Sequence, residues 1–325
     1  MASAEVGDDW YGDDPTVNRL QDRAAEITGH EAAIYVASGT MATQIALHIL
    51  VRSGHLAVCE ADAHVCETEI SASAVLSGIA YKRIPARQLG ILTPEQVEEA
   101  LRPDPFDVEI ADLVCLENTH LVGGGAVMTV EEMRDVAGIV RSARVPLYLD
   151  GARIFNAAVA AGVTVADYGQ HVDAMMFCLS KGLGAPIGSM LCGDAEFIRE
   201  ARRVKIIFGG GWRQAGIMAA AGLIALAEGP KRLHEDHARA SVLAAAVAEA
   251  LPGALDPSAV GTNIVFVDVE SIGLPLVQTI DLLADKGVKV VPVAGRIRMV
   301  THVGIDDEDV GRAIAAWREI SAEVM

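Results

Sequence analysis

The sequence predicts an α/β protein with two domains: a large domain built on a mostly parallel sheet covered by helices, and a small C-terminal α+β domain. Three observations support this class. Short apolar runs alternate with helical segments through most of the chain, which is typical of parallel strands covered on both faces. Long helical segments follow from about 211 to 251, and the tail then returns to short strand-like runs. We expect an N-terminal arm over 1–22, the large domain over 23–228 and the small domain over 229–325.

The strands of the large domain are predicted where short apolar runs lie between turn or helix signals. In chain order these runs cover 32–37, 56–60, 111–117, 145–150, 174–180 and 188–193. Helical spacing marks the segments TPEQVEEALR and TVEEMRDVAGIVRSA, and the first opens with a capping box in which Thr93 is followed three residues later by Gln96. In the small domain the predicted strands are TNIVFVDV, VKVVPV and RIRMVTHV.

Composition excludes several classes of function. The 325 residues are 51% hydrophobic and 22% charged, as in an ordinary soluble globular protein. The net charge of −18 argues against nucleic acid and against anionic membrane surfaces, because the sequence has no basic stripe to contact phosphates. The start MASAEVGDDW has neither the basic nor the apolar part of a secretory signal, and no apolar run of spanning length is free of charge.

The five cysteines predict the redox compartment. They are scattered, odd in number and without CxxC or zinc-finger spacing. Free thiols of this kind are typical of the cytoplasm, so we expect a cytoplasmic, intracellular protein.

Unusual polar residues follow the predicted strands, at the edge of the sheet where open α/β proteins bind ligands. The first strand leads into a helix that starts at Ser-Gly-Thr, a pattern that either binds phosphate or merely caps the helix. The others lead to two histidines, a carboxylate, an arginine and a lysine. The complete set is Ser38, Gly39, Thr40, His64, Asn118, Thr119, His120, Asp150, Arg153, Ser180 and Lys181.

Each of these residues has an ordinary structural explanation, such as a capping aspartate or a solvated lysine, but together they match the needs of one cofactor. Pyridoxal phosphate needs a lysine amine for its Schiff base, a helix N-terminus for its phosphate and a carboxylate for its ring nitrogen. Lys181, Gly39 with Thr40, and Asp150 would fill those roles, and His64 would cover the ring face. Burial and positive neighbours would lower the pKa of Lys181 and leave a neutral nucleophile.

Other chemistries fit the sequence less well. GLGAPIG has one residue too many for a GxGxxG dinucleotide fingerprint and lies past mid-chain, and the serine elbow GxSxG is absent. Acidic pairs at 8–9, 13–14 and 306–307 could bind a cation but are more simply solvated turns, so no metal site is predicted.

Several blocks of the sequence carry a family resemblance. The chain resembles the low-specificity L-threonine aldolases, fold-type I pyridoxal-phosphate enzymes of the aromatic amino acid β-eliminating lyase superfamily, from about residue 7 to the C-terminus. The blocks that carry it are GDDWYGDDPTVNRLQ, YVASGTMATQIAL, HVCETE, LENTH, LYLDGARIFNAA, LSKGLGAPIGSMLCG, FGGGWRQAG and RMVTH.

The resemblance implies roles for individual residues. It places the Schiff base on Lys181, the stacking ring on His64 and the partner of the ring nitrogen on Asp150. Phosphate contacts would come from Gly39, Thr40 and Ser180, and from Lys205 and Arg213 across a subunit interface. Arg153 and Arg298 would hold the substrate carboxylate, with His120 and a water-linked Glu69 near the substrate hydroxyl. A homotetramer built from tight dimers is also implied.

The chain departs from the family pattern at several points. The family usually carries an earlier segment with an RSDT-like run, and this sequence starts at MASAEVGDDW without it. Leu121 stands where asparagine is common after ENTH, Thr43 where asparagine is common after SGTM, and Trp10 adds bulk within GDDWYG. We interpret these changes as signs either of an altered side-chain preference or of a specialised biosynthetic relative.

The implied reaction is retro-aldol cleavage of threonine or allo-threonine, a small-molecule amino-acid substrate, to glycine and an aldehyde. Either His64 directly or His120 through water would take the hydroxyl proton, and the sequence does not choose between them or between the two diastereomers. A β-eliminating lyase or transaldolase acting on a related amino acid is the alternative within this cofactor class. Two further hypotheses lie outside this cofactor class or without catalysis: a nicotinamide-dependent dehydrogenase and a catalytically inactive relative.

Overall fold

The computed structural model of the chain describes residues 1–103, 105–106 and 108–324. Two sheets and a surrounding set of helices make up the fold. The strands are β1 Ala32–Val36, β2 Leu56–Glu60, β3 Ala80–Ile84, β4 Ala111–Glu117, β5 Leu147–Asp150, β6 Ala174–Cys178, β7 Ser189–Gly193, β8 Ile264–Val267, β9 Val291–Val293 and β10 Arg296–Val300. The α-helices are α1 Pro15–Thr28, α2 Gly39–Leu50, α3 His64–Glu67, α4 Ile70–Ser77, α5 Pro94–Ala100, α6 Val130–Ser142, α7 Ile154–Ala161, α8 Val165–Gly169, α9 Ala195–Ile207, α10 Gly216–Ala250, α11 Leu276–Asp285 and α12 Asp307–Val324.

The large sheet has seven strands in the order β1-β7-β6-β5-β4-β2-β3. Strands β3, β2, β4, β5 and β6 run parallel, and β7 lies antiparallel between β6 and β1. The predicted α/β class with a mostly parallel sheet is confirmed. Because the five parallel strands end at the same edge, the residues that follow them are brought together there.

Both faces of this sheet are covered. Along β4, Val114 and Leu116 belong to one buried apolar cluster, whereas Leu113 and Cys115 belong to the cluster on the opposite face. Alternate side chains therefore enter two different cores, which is why the strands read as continuous apolar runs.

Most predicted elements are present with slightly shorter bounds. The capping box at Thr93 and Gln96 is confirmed, and a second one joins Thr129 to Glu132 at the start of α6. The strand β3 was missed, because its sequence AYKRI lies at the sheet edge with half-exposed charged side chains and shows no apolar run.

The predicted N-terminal arm contains the start of a packed helix. Val17 and Leu20 on α1 are completely buried in the main core. The buried Asp14 caps α1 and accepts hydrogen bonds from the backbone N–H groups of Gly7, Thr16, Val17 and Gly216. This acidic segment thus serves to join the chain start to the beginning of α10.

Helix α10 runs without interruption through the predicted boundary at residues 228 and 229. Leu226 and Leu233 pack in the large core, and Ala240 and Leu243 pack in the core of the small domain. The small domain adds a three-stranded antiparallel sheet in the order β8-β10-β9, with Trp317 of α12 buried against it.

Two features are absent from the described residues. None of the described helices has the length and apolar character needed to cross a membrane. No group of three or more described histidine, cysteine, aspartate or glutamate side chains is arranged to hold a metal ion.

Candidate active site

A cavity of about 330 Å³ opens at the edge where the parallel strands end. Seven of the residues predicted from the sequence line it, together with the helix cap Ser38. These residues are Gly39, Thr40, His64, Glu69, Asp150, Ser180 and Lys181. The topology therefore collects one helix N-terminus, one imidazole, two carboxylates and one amine around a single space.

The N-terminus of α2 forms one wall of the cavity. The Ser38 hydroxyl accepts the N–H of Met41, and the N–H groups of Gly39 and Thr40 have no hydrogen-bond partner among the described residues. Gly39 lies against β6, where a Cβ would come within 2.7 Å of Met176 Cε and 3.0 Å of Cys178 Sγ. A helix that starts this close to the sheet presents free N–H groups and a positive dipole end to an anion.

Lys181 lies on a tight loop after β6. The N–H of Gly184 donates to the Lys181 carbonyl, and Leu179 N–H donates to Gly188 at the start of β7. Gly188 has φ +103, and a Cβ there would lie 2.3 Å from the ring of Tyr35. This position therefore needs glycine on two grounds, backbone conformation and space.

Asp150 ends β5 and is nearly buried, with 5% of its surface exposed. One carboxylate oxygen accepts the N–H of Ala152 at 3.0 Å. Burial and the nearby charge of Glu117 raise the pKa of Asp150 to about 6, although Lys181 and His64 act in the opposite direction. A carboxyl group in this condition would gain from a cationic partner in the cavity.

His64 begins α3 and faces the cavity beside Glu69. Its Nδ1 lies 3.2 Å from Glu69 Oε1, and its backbone N–H donates to Glu117 Oε2 at 2.7 Å. The carboxylate of Glu69 raises the pKa of His64; burial opposes this effect and Asp150 and Glu117 reinforce it. The imidazole is thereby oriented through one ring nitrogen and leaves the other for a ligand.

Arg153 and Arg298 lie close enough to influence each other. Burial first, and then the positive charge of Arg298, lower the pKa of Arg153. In both residues Nε is buried without a hydrogen-bond partner, and neither forms an ion pair with a described residue. Two neighbouring guanidinium groups that form no direct ion pair with a described residue provide a site for an anion such as a carboxylate.

His120 lies outside the lining of this cavity. It is 1% exposed, with Nε2 3.0 Å from Glu60 Oε2, and its Nδ1 accepts the N–H of Gly123. Burial, the largest single effect, lowers the pKa of His120, but the contact with Glu60 and the charges of Glu117 and Asp62 together outweigh burial and raise it. Its predicted role near the substrate hydroxyl stays a prediction.

Lys205 and Arg213 also lie away from the cavity within this chain. Lys205 is buried, with Nζ 2.8 Å from Asp9 Oδ2 and 4.7 Å above the ring of Trp212. Arg213 is exposed, pairs with Asp8 at 3.0 Å and lies over the ring of Trp10. Their predicted phosphate contacts would need a second subunit and stay predictions.

The residues present fit pyridoxal phosphate. The free N–H groups of α2 suit its phosphate, and the raised pKa of Asp150 indicates a carboxyl group that lacks a cationic partner. Lys181 lines the same cavity as both. The unpartnered Nε atoms of Arg153 and Arg298 suit the carboxylate of an amino-acid substrate.

Sequence reasoning missed three supporting residues. Glu117 accepts the backbone N–H groups of His64 and Leu121, and so ties two loops to the end of β4. Glu60 pairs with His120, and Gln44 contacts Glu69. The position of Glu60 and Glu117 at strand ends was a usable signal, whereas the contact of Gln44 depends on how α2 packs on α4.

The family model described as beta-eliminating lyase matches residues 1–271. The chain is 39% identical to a low specificity L-threonine aldolase of Escherichia coli O157:H7, over 99% of this chain and 94% of that protein. It is 38% identical to a probable low-specificity L-threonine aldolase 2 of Arabidopsis thaliana, over 98% of this chain and 92% of that protein.

A solved structure described as a putative L-allo-threonine aldolase of Listeria monocytogenes aligns with a TM-score of 0.79 at 20% identity, covering 98% of this chain and 90% of that one. At this identity the likeness supports the fold alone.

Proposed function

Because this chain belongs to the beta-eliminating lyase family, and relatives that match nearly its whole length are named low-specificity L-threonine aldolases, we propose that it is a pyridoxal-phosphate-dependent aldolase. Its substrate would be L-threonine or L-allo-threonine, cleaved between Cα and Cβ to glycine and acetaldehyde. The observation that carries the proposal is the single cavity that joins Lys181, Asp150, His64 and the start of α2.

Each residue has a task in this proposal. The amine of Lys181 holds the cofactor covalently, the N–H groups of Gly39 and Thr40 bind its phosphate with help from the Ser180 hydroxyl, and Asp150 pairs with its ring nitrogen. When bound, pyridoxal phosphate supplies an electron sink for the electron pair that remains at Cα after cleavage. Lys181 is then available to move a proton at Cα.

The two arginines position the substrate. Arg153 and Arg298 would together bind its carboxylate, which would fix the orientation of the Cα–Cβ bond relative to the cofactor. Their mutual repulsion in the free protein is relieved when the anion binds, so part of the binding free energy comes from this relief.

For the proton of the β-hydroxyl we favour His64 as general base. His64 lines the cavity and is oriented through Nδ1 by Glu69, whereas His120 is buried and engaged by Glu60 and Gly123. Because the pKa of His64 is raised, the imidazole becomes neutral, and able to accept a proton, at a higher pH than an ordinary histidine. Activity should accordingly rise with pH on the acidic side of its optimum.

We also propose a homotetramer made of tight dimers, located in the cytoplasm. Exposed apolar side chains at Tyr11, Ile207 and Ile224 favour association, and five buried free thiols favour a reducing compartment. Arg213, which is exposed, is the better candidate to reach a phosphate of a second subunit, because Lys205 is already paired with Asp9. Sedimentation velocity would test the assembly; a monomer that is fully active would contradict it.

The reaction itself is tested by product analysis of purified protein supplied with pyridoxal phosphate. Acetaldehyde and glycine in equal amounts from threonine or allo-threonine support the aldolase. Pyruvate or 2-oxobutyrate with ammonia would instead identify a β-eliminating activity, and the absence of both from all β-hydroxy amino acids tried would refute the proposal.

A further inference from the structure

Gln44 is a buried amide on α2 whose two N–H groups are both used. It is 2% exposed, and its Nε2 donates to Glu69 Oε2 at 2.9 Å and to Ser73 Oγ at 3.0 Å. Glutamine is mostly a surface residue, and burying its amide costs free energy unless the amide is hydrogen-bonded. The side chain therefore has a specific environment, formed by two residues of the 69–73 segment.

Glu69 links this amide to the cavity. One of its oxygens lies 3.2 Å from His64 Nδ1, and the other accepts the Gln44 hydrogen bond. Beyond Gln44, the Ser73 hydroxyl donates to the Glu69 carbonyl and lies 2.6 Å from Tyr81 OH on β3. A chain of polar contacts thus runs from the cavity wall to the edge strand of the sheet.

We propose that Gln44 is a positioning residue of this site: its amide holds the Glu69 carboxylate in the rotamer that orients His64. Gln44 does not line the cavity, so it acts through Glu69. Only its effect on turnover rests on the proposed aldolase function; its effect on His64 follows from the contacts alone.

The physical reason is the burial of Glu69, which is 3% exposed. In the described part of the chain its carboxylate accepts a hydrogen bond from Gln44, and His64 Nδ1 lies at ion-pair distance, 3.2 Å, from the other oxygen. A buried carboxylate that loses a donor becomes harder to ionise and free to turn. The other charged groups near His64 are Asp150, Glu117 and Lys181, and none of them contacts Gln44.

The test replaces Gln44 with leucine, which keeps the approximate size and removes the donor. Histidine ring resonances of the cofactor-loaded protein, labelled with ¹³C at the imidazole, report the titration of His64 directly. Comparison with His64→Gln assigns its signal among the nine histidines. In Gln44→Leu we expect the pKa of His64 to fall by about one unit, because a neighbouring carboxylate shifts a pKa by this order. The acidic limb of kcat/KM should move in the same direction.

Thr43→Val is the matched control. Thr43 is the neighbouring buried residue of α2, and its hydroxyl contacts Tyr148 OH at 3.2 Å, on a different side of the helix from Glu69. Thr43→Val loses one buried hydrogen bond, whereas Gln44→Leu loses two, and it should leave the His64 titration unchanged. If both variants shift His64 equally, or if Gln44→Leu leaves it within about 0.2 units of the wild-type value, Gln44 has a structural role only and the proposal is overturned.

Gln44→Glu keeps the proposal testable if the leucine variant does not fold. A protonated Glu at this position can still donate a hydrogen bond to Glu69, so the low-pH part of the His64 titration curve should match that of the wild type. As the new carboxyl ionises, two buried carboxylates repel each other and activity should fall at high pH; an unchanged profile there would contradict the proposal. A wild-type protein that cleaves no β-hydroxy amino acid would refute the aldolase function while leaving the titration result valid.

Discussion

Replacing Asp150 with asparagine should stabilise the cofactor-free protein while removing its activity. Asparagine has nearly the same shape, and its side-chain oxygen can still accept the N–H of Ala152. What the variant lacks is a buried negative charge close to Glu117. Without a cationic ring nitrogen nearby, that charge is a cost to the folded state.

The magnitude follows from the pKa of the folded state, about 6, against 3.8 for the model carboxyl. Since one pKa unit corresponds to about 1.4 kcal/mol, the difference amounts to about 3 kcal/mol. The Asp150 carboxyl binds its proton more tightly in the folded protein than in the unfolded chain. Its contribution to the free energy of unfolding therefore decreases as pH rises. The loss begins near pH 4 and is complete above about pH 6 to 7.

The assay is urea unfolding of cofactor-stripped wild type and Asp150→Asn at pH 4 and pH 8. The free energy of unfolding of the variant minus that of the wild type should increase by about 2–3 kcal/mol from pH 4 to pH 8. Adding pyridoxal phosphate should stabilise the wild type more than the variant, because asparagine provides no charge for the ring nitrogen. A difference that does not change with pH would refute the reasoning.

Asp167→Asn provides a control of opposite sign. The partly exposed Asp167 accepts hydrogen bonds from the backbone N–H and the hydroxyl of Thr164, which lower its pKa. Its contribution to stability is present at neutral pH and is lost on acidification. The Asp167→Asn variant should therefore be less stable than the wild type at pH 8 and approach it at low pH.

Three further predictions concern the site and its support. Lys181→Ala should abolish threonine cleavage and the borohydride-reducible absorption of the bound cofactor; full activity in a coupled acetaldehyde assay would contradict the role of this lysine. Arg298→Leu should lower kcat/KM for threonine by about 10²-fold, mostly through KM, because a charged hydrogen bond to the carboxylate is lost; an unchanged KM would place the carboxylate elsewhere. Asp14→Ala should lower the free energy of unfolding by about 2–4 kcal/mol in urea, since four backbone N–H groups lose their acceptor, and a change below about 0.5 kcal/mol would show that water replaces it.

The large sheet could be predicted because its strands are buried on both faces. An apolar run such as ADLVCLE, which lies between two segments with helical spacing, predicts a strand that is buried on both faces. The structure gives β4 the bounds 111–117 that this run predicted. The edge strand β3 escaped because one side of it faces solvent and charged side chains are tolerated there. The continuity of α10 was hidden by Gly229 and Pro230, which in a sequence signal the end of a helix.

The residues that line the cavity were predictable for a topological reason. Parallel strands end at one edge, so polar residues that follow them must meet, and Lys181, Asp150 and His64 do so. The contacts that support these residues from outside the cavity could not be predicted. Gln44 meets Glu69, and Glu60 meets His120, through helix and loop packing that no spacing in the sequence encodes.

Helix α10 also limits how the chain could be divided or recombined. Its 35 residues form a rod of about 50 Å. Gly229, near its middle, packs so closely on Leu183 that a Cβ would lie 2.9 Å from that residue's backbone. The first half of α10 thus packs against the loop that carries Lys181, and its second half contributes to the core of the small domain. A chain cut at the apparent junction would lose this support of the loop that carries Lys181, so we expect that the two domains cannot be exchanged between relatives as independent units.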